Sequence, residues 1–184
     1  MNMGKRGLNV GSGQRKFSTC PEVTWTNIDA VSRPGHEPDL VADGAHLPEE
    51  WAGTVDYFVL SHVLEHFGCG EAAGLIKEAY RVLKPGGSLL VFVPDMKALA
   101  RRWLTNDIND YIFFVNTYGA FMSHEEDRHK WGYTDASLRT FLQDQAQWVL
   151  TRFNWRTVPG MDAARDWWVL DMEARKVSAD SLHL

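Results

Sequence analysis

Three groups of residues in this chain carry side chains or backbone able to do chemistry. The first is Gly11-Ser12-Gly13, which directly follows the short apolar run Leu8-Asn9-Val10. Glycines at a strand end let the backbone turn tightly and approach a ligand closely. Gly-x-Gly alone is weak evidence, because an ordinary turn uses the same residues. A dinucleotide fingerprint places a third glycine at the opening of a helix. Gln14-Arg15-Lys16 follows here instead, so the loop lacks the form that suits a pyrophosphate. The second group is a pair of acids. Asp29 lies near the roughly 20-residue offset expected of a carboxylate that bonds ribose hydroxyls. Asp43, before Gly44, could meet an adenine ring edge or simply close a turn.

The third group is rich in histidine. His62 and His66 would stand one turn apart on a helix, as zinc ligands can. With Glu65 they read better as local structural or ligand-shell residues, and no metal is expected. Further on, His124, Glu125, Glu126, Asp127, Arg128 and His129 form a dense polar run closed by Trp131-Gly132-Tyr133. A solvated loop is the simplest account of such a run. Its other account is a set of proton acceptors beside an aromatic wall, with Trp131 and Tyr133 near a substrate. Imidazole titrates near neutral pH, so His129, His124 and His62 are the candidate bases.

These groups must be held by regular elements. Short apolar runs at 8–10, 25–28, 40–42, 55–60 and 88–93 read as strands, and each of the first four stops at a polar residue or glycine. In an open α/β sheet the ligand crevice lies outside the carboxyl ends of the strands. Ala72, Leu75, Ile76, Ala79, Tyr80 and Leu83 repeat at three- and four-residue spacing, which predicts an amphipathic helix stopped by Lys84-Pro85-Gly86-Gly87. Thr134 predicts an N-cap for a helix carrying Leu138, Phe141 and Leu142. Two more strands are expected near 148–153 and 167–174. The region 96–131 reads as irregular.

With 184 residues, 45% hydrophobic and 23% charged, the chain fits one globular domain spanning 1–184. The segment 96–133 is read as a lid or acceptor-site insertion. Two cysteines, Cys20 and Cys69, give neither a disulfide framework nor a metal knuckle. No run is apolar enough to suggest a membrane span or secretion signal, so a cytoplasmic location is expected. A net charge of −5 with scattered basic pairs argues against a nucleic-acid partner. Nothing in the sequence fixes an oligomeric state.

Five segments in order carry a family resemblance: Leu8 to Gly13, Asn27-Ile28-Asp29, Val41-Ala42-Asp43, Ser61 to Phe67 and Arg81 to Gly87. Together they resemble a class I S-adenosylmethionine-dependent methyltransferase of the small-molecule group. The resemblance implies a Rossmann-like, doubly wound α/β sheet, mostly parallel with its last strand antiparallel and with helices on both faces. It implies S-adenosylmethionine as cofactor. Gly11, Ser12 and Gly13 would meet its methionine part, Asp29 its ribose, Asp43 and Gly44 its adenine, and Ser61 and His62 the reacting edge. The expected activity is methyl transfer to a small or glycan-like acceptor. The alternative is a catalytically silent module of the same fold that binds the cofactor or a partner. One departure stands out. The family has a full helix between the first two strands, but the link 12–24 contains Pro21 and allows a turn or two at most. Arg15 or Lys16 would then supply positive charge that the helix terminus does not.

Overall fold

The computed structural model describes residues 4–120, 127–152, 158–161 and 167–178. Seven strands form one sheet in the order β3-β2-β1-β4-β5-β7-β6. They are β1 (Lys5–Val10), β2 (Val23–Asp29), β3 (Leu40–Val41), β4 (Val55–Ser61), β5 (Leu83–Pro94), β6 (Trp148–Thr151) and β7 (Val169–Lys176). β7 runs antiparallel to both β5 and β6, while β1 to β5 are mutually parallel. The order reverses between β1 and β4, so the strand ends there splay apart and leave a crevice. Gly11, Asp29 and Ser61 all stand at that carboxyl edge.

α1 (Cys69–Val82) forms where the periodicity demands it and buries Ala72, Leu75, Ile76 and Ala79 against the sheet. Burying Leu75 and Ile76 contributes roughly 1.5–3 kcal/mol each. α4 (Asp135–Gln145) starts at Thr134, whose hydroxyl accepts the Ser137 N–H, and adds Leu138 and Leu142 to the same core. On the other face Val23, Trp25, Val59, Leu90 and Phe92 pack against Phe17, Val158 and Met161. Trp25 is fixed there by an edge-on contact with Phe17 and by donating its Nε1–H to the Pro159 carbonyl at 3.0 Å.

The crossover from β1 to β2 contains no helix. A buried polar network holds it instead. The Asn9 side chain donates to the Arg15 carbonyl at 2.7 Å and to Asn27 Oδ1 at 2.9 Å. Asn27 Oδ1 also accepts the Phe17 N–H, and its Nδ2 donates to the Phe17 carbonyl and to Asp39. Lys16 closes the chain of bonds with an ion pair to Asp39 at 2.6 Å. A loop crossing a sheet must satisfy its own backbone groups, and these side chains do what helical bonds would otherwise do.

The region read as irregular contains two helices, α2 (Met96–Leu104) and α3 (Asp110–Tyr118). Asp95 and Asn109 cap them by accepting backbone N–H groups of the first turn. α3 lacks a strong apolar period, whereas α2 is amphipathic and turns Leu99 into the core. The segment leaves and rejoins the sheet at one point, because Asp95 bridges Tyr133 and the Met96 N–H donates to the Tyr133 carbonyl at 3.0 Å. The aromatic residues of α2 and α3 pack largely on one another: Trp103 stacks on Phe113 at 4.4 Å and Phe114 on Tyr118 at 6.1 Å. Among the described residues, no helix is long and apolar enough to cross a membrane.

Candidate active site

The carboxyl edge of the sheet presents two halves. In the first, Gly11 turns with φ 69° directly against Val63, where any Cβ would collide with the valine side chain. The backbone there needs glycine on both counts. Asp29 at the end of β2 ties this loop down: its carboxylate accepts the Gly13 N–H at 2.9 Å and the Val31 N–H at 3.0 Å. Each carboxylate oxygen can accept more than one bond, so Asp29 retains capacity toward a ligand hydroxyl. Ser12 is buried, and its hydroxyl has no hydrogen-bond partner. Asp43 closes its own turn, accepting the Ala45 N–H at 2.9 Å and pairing with His46 at 2.7 Å. These bonds hold the Asp43 carboxyl below its ordinary range, the Ala45 N–H contributing most. Gly44 packs on Val10 with no room for a Cβ.

The second half follows β4. His62 takes the left-handed conformation at φ 56°, uncommon for a residue with a Cβ and a recurring feature of functional sites. The ring then faces Trp168, and its Nδ1–H donates to Glu65 Oε1 at 3.1 Å. Glu65 is 1% exposed, and its second oxygen has no partner. A buried carboxylate oxygen left without a donor is costly unless something else satisfies it. Residues 64–66 form a single tight turn, so His62 and His66 do not share a helix face as their spacing suggested.

The returning end of the 96–133 segment completes this half. The Lys130 and Trp131 N–H groups donate to the Glu65 carbonyl at 2.7 and 3.1 Å. That contact brings the His129 ring edge-on to the His66 ring at 4.8 Å. His129 Nδ1 lies 3.1 Å from the Asn116 carbonyl. A carbonyl can only accept, so Nδ1 carries the proton and Nε2 keeps its lone pair. Burial lowers the His129 pKa, against the opposing pull of the Glu65 charge, and keeps the ring neutral.

The structure therefore gathers Gly11, Ser12, Gly13, Asp29, Asp43, Gly44, Ser61, His62 and His129 along one sheet edge. His124 lies outside the described residues. Tyr133, expected near substrate, is instead a core residue at 1% exposure, and burial pushes its phenol pKa far up. Lys16 is committed to Asp39 and to the Glu37 carbonyl rather than to the glycine loop. Two features escaped sequence reasoning. The Asn9–Asn27–Asp39 network has no signal beyond polar residues in apolar strands. The meeting of Glu65, His66 and His129 depends on a contact that no local pattern records. A cavity of about 540 Å³ lined by Lys5, Lys84, Arg152 and Arg175 lies at the opposite end of the sheet, away from these groups.

Residues 8–91 match a family model described as a methyltransferase domain. No curated protein matches the chain. Among solved structures, it resembles a 1,6-didemethyltoxoflavin-N1-methyltransferase from Burkholderia thailandensis, with S-adenosylhomocysteine bound, at 14% identity and a TM-score of 0.57. The match covers 95% of this chain and 72% of that one. A SAM-dependent methyltransferase from Methanosarcina mazei is 19% identical with a TM-score of 0.57, covering 96% and 94% of the two chains. A 16S rRNA (adenine(1408)-N(1))-methyltransferase from Catenulisporales acidiphilia is 19% identical with a TM-score of 0.53, covering 95% and 85%. Residues 8–91 are thus similar to a methyltransferase domain, and the described sheet shares the fold of the solved methyltransferases named above.

Proposed function

We propose that the chain transfers a methyl group from S-adenosylmethionine to a small polar acceptor bearing a hydroxyl or amine. The acceptor binds between Ser61–His62 and His129, with the segment 96–133 as its cover. One observation carries this reading: Glu65, paired with His62, lies with its carboxylate within 4.8 Å of the ligating atoms of His66 and His129, and Val63 beside them packs directly on the Gly11 turn. The residues fit the cofactor, since the loop offers a close backbone approach at Gly11 and a buried, unpartnered hydroxyl at Ser12.

S-adenosylmethionine, when bound, supplies a methyl group already activated on a sulfonium sulfur. The chain's task is then mainly alignment. Gly11, Ser12 and Gly13 hold the methionine end, Asp29 the ribose, and Asp43 with Gly44 the adenine end. His62, oriented by Glu65, and His129, oriented by the Asn116 carbonyl, each offer a lone pair on Nε2 to take the acceptor's proton. The site favours no glycan over other small acceptors. A net charge of −5 disfavours an extended nucleic-acid substrate.

Calorimetry with S-adenosylhomocysteine and NAD tests the cofactor half; the first should bind and the second should not. Incubation with S-adenosylmethionine and a panel of small hydroxyl and amine acceptors tests the rest, read by mass spectrometry of methylated product. Binding of S-adenosylhomocysteine without turnover of any acceptor would favour the silent module.

A further inference from the structure

We propose that Glu65, His66 and His129 form a binding site for one divalent transition-metal ion of the zinc, cobalt or manganese class. Each of the three offers one ligand atom, and these atoms lie within 4.8 Å of one another. Bond lengths of about 2.0–2.2 Å place ligand atoms roughly 3–4.3 Å apart, so the side chains close on an ion by less than about 1 Å. Two imidazoles and a carboxylate suit a borderline first-row ion better than calcium or magnesium, which prefer oxygen.

The surroundings are arranged as metal sites require. His129 Nδ1 donates to the Asn116 carbonyl at 3.1 Å, and His66 Nδ1 donates to the Arg128 carbonyl at 3.3 Å. Metal-bound histidines usually give their other ring N–H to such an acceptor, which fixes the tautomer and aims Nε2 at the ion. Glu65 is oriented in the same way. Oε1 accepts from His62, while Oε2, buried and without a partner, is the atom left to bind. An ion there satisfies a carboxylate oxygen that the protein itself leaves unsatisfied.

Three protein ligands leave coordination positions open to water or to an oxygen of the acceptor. With His129 bound to the ion, His62 becomes the base. This extension rests on the methyl-transfer reading, but the site does not. It narrows the acceptor class to molecules with an oxygen that can bind the ion.

The test uses full-length protein stripped by chelator and titrated with Co²⁺, followed by visible absorption and calorimetry. One ion per chain, with ligand-field bands of a nitrogen- and oxygen-bound cobalt, is expected. Zn²⁺ should displace it. His129→Ala and Glu65→Gln should each weaken binding by about a hundredfold or more, while His46→Ala, altering an exposed histidine elsewhere, should not. Far-ultraviolet circular dichroism checks that the variants fold. If the wild-type chain takes up no more cobalt than His129→Ala, the site does not exist; this holds even if Glu65→Gln unfolds. S-adenosylhomocysteine titrations in the same samples separate the two ideas. Cofactor binding without metal uptake removes the metal site alone. Metal uptake without cofactor binding removes the methyl-transfer reading alone.

Discussion

The two halves of the carboxyl edge are built on opposite principles. Around β1 and β2, Asn9, Asn27 and Asp39 bond one another and the loop backbone, and Asp29 holds two N–H groups, with only the Ser12 hydroxyl left buried and unpaired among the described residues of this half. After β4, Glu65 Oε2 and the Tyr133 hydroxyl are buried without partners. The first half is held in place by its own bonds. The second keeps unspent hydrogen-bonding and ligating capacity beside imidazoles with available lone pairs. Paired polar groups give rigidity, whereas unpaired ones in a folded site are where a ligand gains most.

The largest effect should come from the second half. His129→Ala should lower turnover by about 10²–10⁴, whether the ring is base or metal ligand, with S-adenosylhomocysteine affinity near normal. Steady-state kinetics alongside calorimetry checks this. A parallel loss of cofactor affinity would merge the two halves that the structure separates. In the first half, Asn27→Ala removes the hub of the network and strands the Asn9 amide and the Phe17 backbone groups. Destabilisation of about 3–5 kcal/mol is expected, read by urea unfolding. A loss under about 1 kcal/mol would mean that the network is not what replaces the crossover helix.

Asp29→Ala sits between the halves in size. Lost ribose bonds should weaken S-adenosylhomocysteine binding about ten- to a hundredfold, or roughly 1.5–3 kcal/mol. Because Asp29 also anchors Gly13 and Val31, a stability cost of about 1–2 kcal/mol should accompany it. Asn at this position should recover more of the stability than of the affinity.

The pH dependence follows from His129. Its folded pKa is lowered, chiefly by burial, so the unfolded chain binds the proton more readily. The sign is that of a group buried neutral: its contribution to stability is present above the unfolded value of about 6.5 and is lost as pH falls below it. Thermal unfolding from pH 8 to 5 should show a steeper acid loss in the wild type than in His129→Gln. Equal slopes would place the titration elsewhere. The smallest effect is Lys16→Gln. Its partly exposed ion pair with Asp39 should contribute under about 1 kcal/mol, and cofactor affinity should not change. A clear rise in the cofactor dissociation constant would show that Lys16 does reach the ligand.

How far each half could be read in the sequence follows the same division. Gly11, Asp29 and Asp43 are legible because each ends a strand and strand ends are marked locally by composition. Thr134 is legible because a cap acts within one turn. The helices α2 and α3 were not: α3 has no strong apolar period, and α2, though amphipathic with Leu99 buried, is only nine residues long. His62 was singled out, but its pairing with Glu65 depends on a left-handed backbone that its residue type disfavours.

By itself the sequence determined the strands and the missing first crossover helix. Those properties arise from interactions within a few residues or from patterns repeated along the chain. Tertiary structure alone decided that Lys16 turns to Asp39, that Tyr133 enters the core and that His129 meets Glu65 and His66. Each is a contact between segments distant in the chain, made when the 96–133 excursion returns to the sheet at Asp95 and Tyr133. The backbone bonds of Lys130 and Trp131 to Glu65 set the position of His129, and hydrogen bonds between main-chain atoms leave no mark in residue identity.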